Sequence, residues 1–104
     1  MTPYLEAVNV QLKAFLADGG IRVRRFDSFY AATVDELGRI ESAAVAALAR
    51  KTMNDDCDAL FIACAQLTTR DILDDLRREI GRPVLSANWS TTRYAIRAAA
   101  LQTA

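Results

Sequence analysis

The chain has 104 residues, with 13 basic and 13 acidic side chains and no histidine. This length fits a single domain, and a hydrophobic content of 52% is that of a globular protein and not of a disordered one. The balanced charge, without a basic stripe, argues against a nucleic-acid partner, and no apolar stretch is long enough to span a bilayer. Two cysteines without a framework pattern, and no visible secretory signal, indicate a reducing, cytoplasmic setting.

The first half of the chain predicts two helices separated by a strand and a loop. Thr2 and Pro3 are a favourable helix start, because a hydroxyl cap is followed by proline at the first helical position. Ser42 is the predicted cap of the second helix, and Thr33 is a cap or turn candidate within the loop. The predicted ranges are, in order, helix 2–19, strand 21–26, loop 27–37 and helix 42–54.

The second half predicts alternating strands and helices. Thr68 or Thr69 caps a helix that Gly81 closes. The predicted ranges are strand 58–64, helix 68–81, strand 83–86 and a last helix after residues 88–90. This alternation predicts an α/β fold, with a parallel sheet and helices on both faces. A strand directly before Thr2 would be the natural first element of that sheet.

Cys64 is the main candidate for a reactive residue. It ends an unbroken apolar run at residues 59–64, and such a run is typical of a strand buried on both faces. The carboxyl edge of a parallel sheet is where ligands bind, and a helix that follows would aim its N–H groups at the sulfur and favour the thiolate. A cysteine in an apolar strand is more often a small core residue, but the strand-end position favours catalysis. Cys57 lies among three aspartates, which disfavour a thiolate, so it is expected to be structural.

Four short motifs follow one another along the chain. They are Thr2-Pro3-Tyr4, Gly38-Arg39-Ile40, the run from Asp58 to Cys64, and the run from Gly81 to Asn88. In this order and spacing they resemble the maleate isomerase and arylmalonate decarboxylase group of the aspartate/glutamate racemase superfamily. Proteins of that group are about twice this length and have two similar α/β lobes with the active site between them. The resemblance implies that residues 1–104 form a single flavodoxin-like lobe, the second half of a two-lobe enzyme whose first lobe is absent.

The resemblance also implies the residues of the site. Cys64 is matched to a catalytic cysteine that donates a proton or acts as a nucleophile. The substrate-binding set combines a tyrosine that holds a carboxylate, backbone N–H groups that form an oxyanion pocket, and a polar strand end. Its members are Tyr4, Ala65, Gln66, Ser86 and Asn88. No cofactor is implied, and the sequence shows no ligand cluster with metal spacing.

The function implied is that of a cofactor-independent isomerase or decarboxylase lobe acting on maleate or substituted malonates. Amino-acid or hydantoin racemisation is the less favoured activity. The expected partners are a small carboxylate substrate and either a second lobe or a second copy of the chain, without which the isolated lobe is expected to be incomplete.

Two alternatives stay open. One is a non-catalytic remnant that binds small carboxylates, because residues 65–69 read Ala-Gln-Leu-Thr-Thr where the family commonly has Thr-Asn-Leu-Arg-Thr. A structural reading of the individual residues also stays open, in which Tyr4 only packs and Ser86 and Asn88 are turn and cap residues. The other is a general flavodoxin-like response or nucleotide module, which the absence of a Gly-rich phosphate loop disfavours.

Overall fold

The computed structural model describes residues 1–103 and has the predicted α/β architecture. In chain order the elements are α1 (Glu6–Asp18), α2 (Val34–Gly38), α3 (Ser42–Thr52), β1 (Leu60–Ile62), α4 (Leu73–Ile80), β2 (Val84–Ser86) and α5 (Ala87–Thr103). The two strands pair in parallel, and α4 forms the crossover between them. Within the described part of the chain, no helix is long and apolar enough to cross a membrane.

The sheet is covered more completely on one face than on the other. Leu60 and Ile62 of β1 are buried, and their partners in the register, Val84 and Ser86, are buried as well. Leu60, Ile62 and Val84 belong to the hydrophobic core. The helices α3 and α4 complete this core with Val45, Ala49, Leu73 and Leu76. Phe61 and its partner Leu85 point to the opposite face and are only half-buried, because successive residues of a strand alternate between faces.

The boundaries of α4 show which local signals were decisive. The helix ends at Gly81, whose φ of 70° is left-handed, so the predicted glycine stop is confirmed. The predicted start is wrong: α4 begins at Leu73, and neither Thr68 nor Thr69 caps it with a side chain. Thr69 instead accepts hydrogen bonds from Ile72 and Leu73 through its carbonyl, so its segment forms a turn that leads into the helix.

Two other predictions for the first half are corrected. The first helix begins at Glu6 and not at Thr2, because residues 1–3 lie buried beside β1 in an extended course. The predicted loop contains the short helix α2. Thr33 caps this helix by accepting the Glu36 N–H, so its role as a cap is confirmed. The Glu36 carboxylate in turn accepts the N–H of Ala32, the residue before the cap.

The strand predicted at residues 21–26 does not form. Among residues 1–103 the sheet has only β1 and β2, and no hydrogen bond joins the backbone of residues 22–26 to another described residue. A strand requires a neighbour that accepts and donates along its length, and the segment has none beside it. The local pattern is that of a strand, but the pairing partner is missing.

Candidate active site

Cys64 lies at the carboxyl edge of the sheet, directly after the end of β1. Its φ of 92° is in the left-handed region, which a residue with a β-carbon rarely adopts. The Cys64 carbonyl accepts the Leu67 N–H at 3.3 Å, so the chain reverses in a tight turn immediately after the strand. The side chain is 9% exposed and borders the hydrophobic core. Strained backbone of this kind clusters at functional sites and costs about 1–3 kcal/mol.

The turn after Cys64 presents unpaired backbone donors. Ala65 and Gln66 are exposed, and neither of their N–H groups reaches an acceptor among residues 1–103. The Ala65 carbonyl is held by the Asn88 side-chain amide, which donates to it at 2.7 Å. Asn88 therefore fixes the orientation of a peptide that carries free donors, an arrangement suited to an anion.

Four of the substrate-binding candidates border one depression of about 720 Å³. Ala65 and Gln66 come from the turn after β1, whereas Ser86 and Asn88 come from the end of β2 and the start of α5. They meet because the ends of neighbouring parallel strands share one edge of the sheet. Ser86 is 1% exposed and its hydroxyl accepts the Trp89 N–H at 3.1 Å, which caps the start of α5.

Tyr4 and Cys64 form a second group, outside the lining of that depression. Burial, and to a smaller extent the neighbouring Cys64 sulfur, together raise the pKa of the Tyr4 phenol to about 12. The phenol remains a protonated donor at neutral pH, at a position next to the sulfur.

A buried polar network holds the Tyr4 segment, and the sequence reasoning did not identify it. The Tyr4 carbonyl accepts from the Asn9 side-chain amide at 2.8 Å and from the Ser28 hydroxyl at 2.7 Å. Thr2 completes the network, because its hydroxyl donates to the Asn9 side-chain oxygen Oδ1 and accepts the Tyr4 N–H. Asn9 is fully buried and Thr2 is 1% exposed. The available signal was an asparagine at helical spacing from the apolar residues Leu5, Leu12 and Leu16.

Arg77 and Trp89 line one side of the depression. The Arg77 guanidinium donates to the Val84 carbonyl through Nε at 3.1 Å and Nη2 at 3.0 Å, and its carbon lies 4.5 Å from the centre of the Trp89 ring. A second guanidinium, that of Arg93, lies 5.6 Å from the same ring. These contacts couple α4, β2 and α5 beside the site. Residues 1–103 contain no group of three or more histidine, cysteine or acidic side chains that could hold a metal ion.

Fold and site define an α/β lobe whose polar groups meet at the carboxyl edge of a parallel sheet, with a cysteine at the strand end. The chain belongs to the arylmalonate decarboxylase family, because the family model of that description matches residues 1–104. The family predicted from the four motifs is thereby confirmed.

Two curated relatives give the scale of the similarity. The chain is 28% identical over 100 residues to an arylmalonate decarboxylase of Bordetella bronchiseptica, in an alignment that covers 90% of this chain and 42% of the relative. It is 32% identical over 88 residues to a maleate isomerase of Nocardia farcinica, covering 84% of this chain and 35% of the relative. The chain thus spans less than half the length of the curated relatives that it matches.

Solved structures agree with the fold. A Gly-to-Cys variant of arylmalonate decarboxylase in a sulfate-associated form matches with a TM-score of 0.82 at 28% identity, covering 92% of this chain and 42% of that one. A double variant of the same enzyme in a liganded form matches with a TM-score of 0.85 at 26% identity, with the same coverage. The predicted lobe architecture is confirmed by these likenesses.

Proposed function

We propose that this chain is one lobe of a cofactor-independent enzyme that decarboxylates or isomerises small dicarboxylates, with Cys64 as the reacting group. The proposal rests on one geometric observation in a chain of this family. A cysteine with left-handed backbone stands at the strand end, and the Tyr4 phenol lies beside its sulfur. Two N–H groups that reach no acceptor among residues 1–103 follow the cysteine.

For a substituted malonate, the lobe would supply a proton and a site for negative charge. The bond between the α-carbon and one carboxylate breaks, carbon dioxide leaves, and the electron pair remains on the substrate as an enediolate. The Cys64 thiol transfers its proton to the α-carbon, and solvent returns a proton to the thiolate. The N–H groups of Ala65 and Gln66 are available to the enediolate oxygens, and the Tyr4 hydroxyl is a further donor.

For maleate, the same groups would support cis–trans isomerisation by addition and elimination of the thiolate. The Cys64 thiolate adds to one alkene carbon, and the electron pair of the double bond moves to the other carbon and its carboxylate. Rotation about the resulting single bond followed by expulsion of the thiolate gives the trans isomer, with no net change in atoms or charge. Both routes place growing negative charge near the turn after β1, which is where the unpaired N–H groups lie.

The complete site requires a second wall. Cys64 is 9% exposed in the isolated lobe, and the lobe spans 42% of the length of its decarboxylase relative. A second lobe, or a second copy of this chain, would face the carboxyl edge of the sheet and enclose the substrate. Enclosure also strengthens the interaction between the donors and the developing charge, because it excludes water.

Alkylation of the two cysteines, one at a time, tests the proposal. The Cys57→Ser chain leaves Cys64 as the single thiol, and the Cys64→Ser chain leaves Cys57 as the matched control. We expect malonate and maleate to slow the reaction of iodoacetamide with Cys64 in a saturable manner, and to leave the reaction of Cys57 unchanged. Equal effects on both thiols, or none on Cys64, would contradict a carboxylate site at this strand end.

A second candidate function is a carboxylate-binding half-domain without turnover. The burial of Cys64 within the edge of the core favours it, because a structural cysteine would have the same surroundings. This function predicts saturable protection of Cys64 by malonate, together with no release of carbon dioxide from phenylmalonate and no conversion of maleate at any protein concentration. Turnover that rises with the square of protein concentration would instead indicate an enzyme assembled from two copies.

A further inference from the structure

A short stretch of parallel backbone pairing stops at Tyr4. The Thr2 carbonyl accepts the Phe29 N–H at 3.0 Å, as in a parallel ladder. The same ladder would next join the Tyr4 carbonyl to the Ala31 N–H, but that N–H donates instead to the Pro3 carbonyl at 2.8 Å. Within the described part of the chain, the N–H and the carbonyl of Tyr4 therefore have no main-chain partner.

Three side chains supply the hydrogen bonds that the ladder does not. The Tyr4 N–H donates to the Thr2 hydroxyl at 3.2 Å. The Tyr4 carbonyl accepts from the Asn9 amide at 2.8 Å and from the Ser28 hydroxyl at 2.7 Å. The members also bond outside Tyr4, because the Thr2 hydroxyl donates to the Asn9 side-chain oxygen and the Ser28 hydroxyl accepts the Tyr30 N–H. We call the side chains of Thr2, Asn9 and Ser28 the Tyr4 network.

The Tyr4 network restricts where the phenol can lie. When the peptide groups on both sides of a residue are held, only its side-chain torsions stay free, and these occupy few staggered states. The Tyr4 side chain packs against the hydrophobic core to which Cys64 belongs, and its phenol lies beside the Cys64 sulfur. Release of the Tyr4 backbone would therefore let the phenol move away from the sulfur.

We propose that Thr2, Asn9 and Ser28 are positioning residues that hold the Tyr4 phenol beside Cys64, where it donates to a substrate carboxylate. This inference rests on the proposed function, because it gives the network a task in carboxylate binding. All three side chains bond the backbone of the same residue, and Thr2 and Asn9 are too deeply buried to reach a substrate themselves. A purely structural network would instead fasten α1 to the preceding segment, without any effect on how malonate binds.

The Thr2→Val substitution tests the proposal, because it removes the hydroxyl and keeps the shape of the side chain. Every chain carries Cys57→Ser, so iodoacetamide reports on Cys64 alone, and the measured quantity is the malonate concentration that halves the alkylation rate. Tyr4→Phe should raise this half-protecting concentration about tenfold, as the loss of one hydrogen bond to a charged group does. Thr2→Val should raise it by a similar factor. The chain with both substitutions should exceed Tyr4→Phe alone by no more than about twofold, because both act through one phenol.

Two control variants separate positioning from a general loss of stability. Thr2→Ser keeps the hydroxyl and should retain the parent's half-protecting concentration to within about threefold. Gly81→Ala destabilises the chain at the end of α4, before β2 and so at the opposite edge of the sheet, and should leave that concentration unchanged. Ser28→Ala takes the place of Thr2→Val if the latter does not fold, because Ser28 is only half-buried.

The proposal is overturned by any of three results with malonate. The first is a raised half-protecting concentration in Tyr4→Phe together with an unchanged one in Thr2→Val. The second is a combined variant in which the two effects multiply to about a hundredfold, since the residues would then act independently. The third is saturable protection by malonate that Tyr4→Phe leaves unchanged, because the phenol would then have no task at the carboxylate.

A measurement without ligand distinguishes failure of the network from failure of the proposed function. If malonate does not protect Cys64 in the parent chain, the proposed function fails, and the nuclear Overhauser effect between the Tyr4 ring protons and the Cys64 β-protons decides whether the network holds the phenol. We expect this contact in the parent chain and in Gly81→Ala, and we expect its loss in Thr2→Val. A contact that persists in Thr2→Val would show that the phenol stays in place without the Tyr4 network, and the positioning role would be refuted.

Discussion

The buried ammonium of Met1 predicts that the chain becomes more stable as pH rises. Met1 is 6% exposed, and burial lowers the pKa of its ammonium from 8.0 to about 6, while the Asp27 carboxylate partly opposes the shift. The unfolded chain therefore binds more protons than the folded chain between about pH 6 and pH 8. The free energy of unfolding must rise with pH through this window, and it is lowest below pH 6, where both states are protonated.

The size of the effect follows from the shift. A difference of about two pKa units corresponds to about 2.7 kcal/mol between pH 5 and pH 8.5. The chain has no histidine, so histidine titration does not contribute to the pH dependence of stability between pH 6 and pH 8. Urea unfolding followed by the fluorescence of Trp89, the single tryptophan, measures the free energy at each pH.

N-terminal acetylation provides the control, because it removes the titrating charge and keeps an N–H donor for the Phe61 carbonyl. The acetylated chain should show a nearly flat profile from pH 5.5 to 7.5. The Asp27→Asn chain should show a steeper profile than the unmodified one, since the opposing attraction is removed. The same slope in the free and acetylated chains, or a stability that falls as pH rises, would refute the reasoning.

Three further substitutions test the framework around the site by urea unfolding at pH 7.5. Asn9→Ala removes a fully buried side chain from the polar network and should cost about 2–3 kcal/mol, whereas a loss below about 0.5 kcal/mol would mean that the network contributes little. Gly81→Ala places a β-carbon at a φ of 70° and should cost about 1–2 kcal/mol, and no loss there would contradict the left-handed helix end. Arg77→Lys should shift the Trp89 emission and lower the free energy of unfolding by about 1 kcal/mol. Lysine loses the planar contact with the ring and one of the two hydrogen bonds to the Val84 carbonyl. An unchanged emission spectrum would contradict the stacking of Arg77 on Trp89.

Local sequence signals were sufficient to predict an element where its own composition and backbone conformation determine it. The apolar runs that became β1 and β2 and the stop at Gly81 depend on composition and on one backbone conformation, and both can be read from short windows. Residues 21–26 carry an equally good strand pattern, but within residues 1–103 they pair with no strand. Whether a strand forms is decided by its neighbour across the ladder, and that information does not lie in the segment itself.

The site was predictable in outline only. Strand alternation was enough to expect that residues after β1 and β2 share one edge, and Ala65, Gln66, Ser86 and Asn88 do meet there. The left-handed backbone of Cys64 was not predictable, because nothing in a run of apolar residues specifies the turn that follows it. The catalytic and binding roles of these residues remain predictions that the alkylation experiments address.

Uneven coverage of the sheet divides the molecule into parts that should open on different timescales. Phe15 of α1 is 74% exposed, and Tyr94 and Leu101 of α5 are 76% and 81% exposed, whereas Leu76 of α4 is fully enclosed. Amides of α1 and of the distal part of α5 should therefore exchange with solvent long before those of α4, through local openings that leave α4 folded.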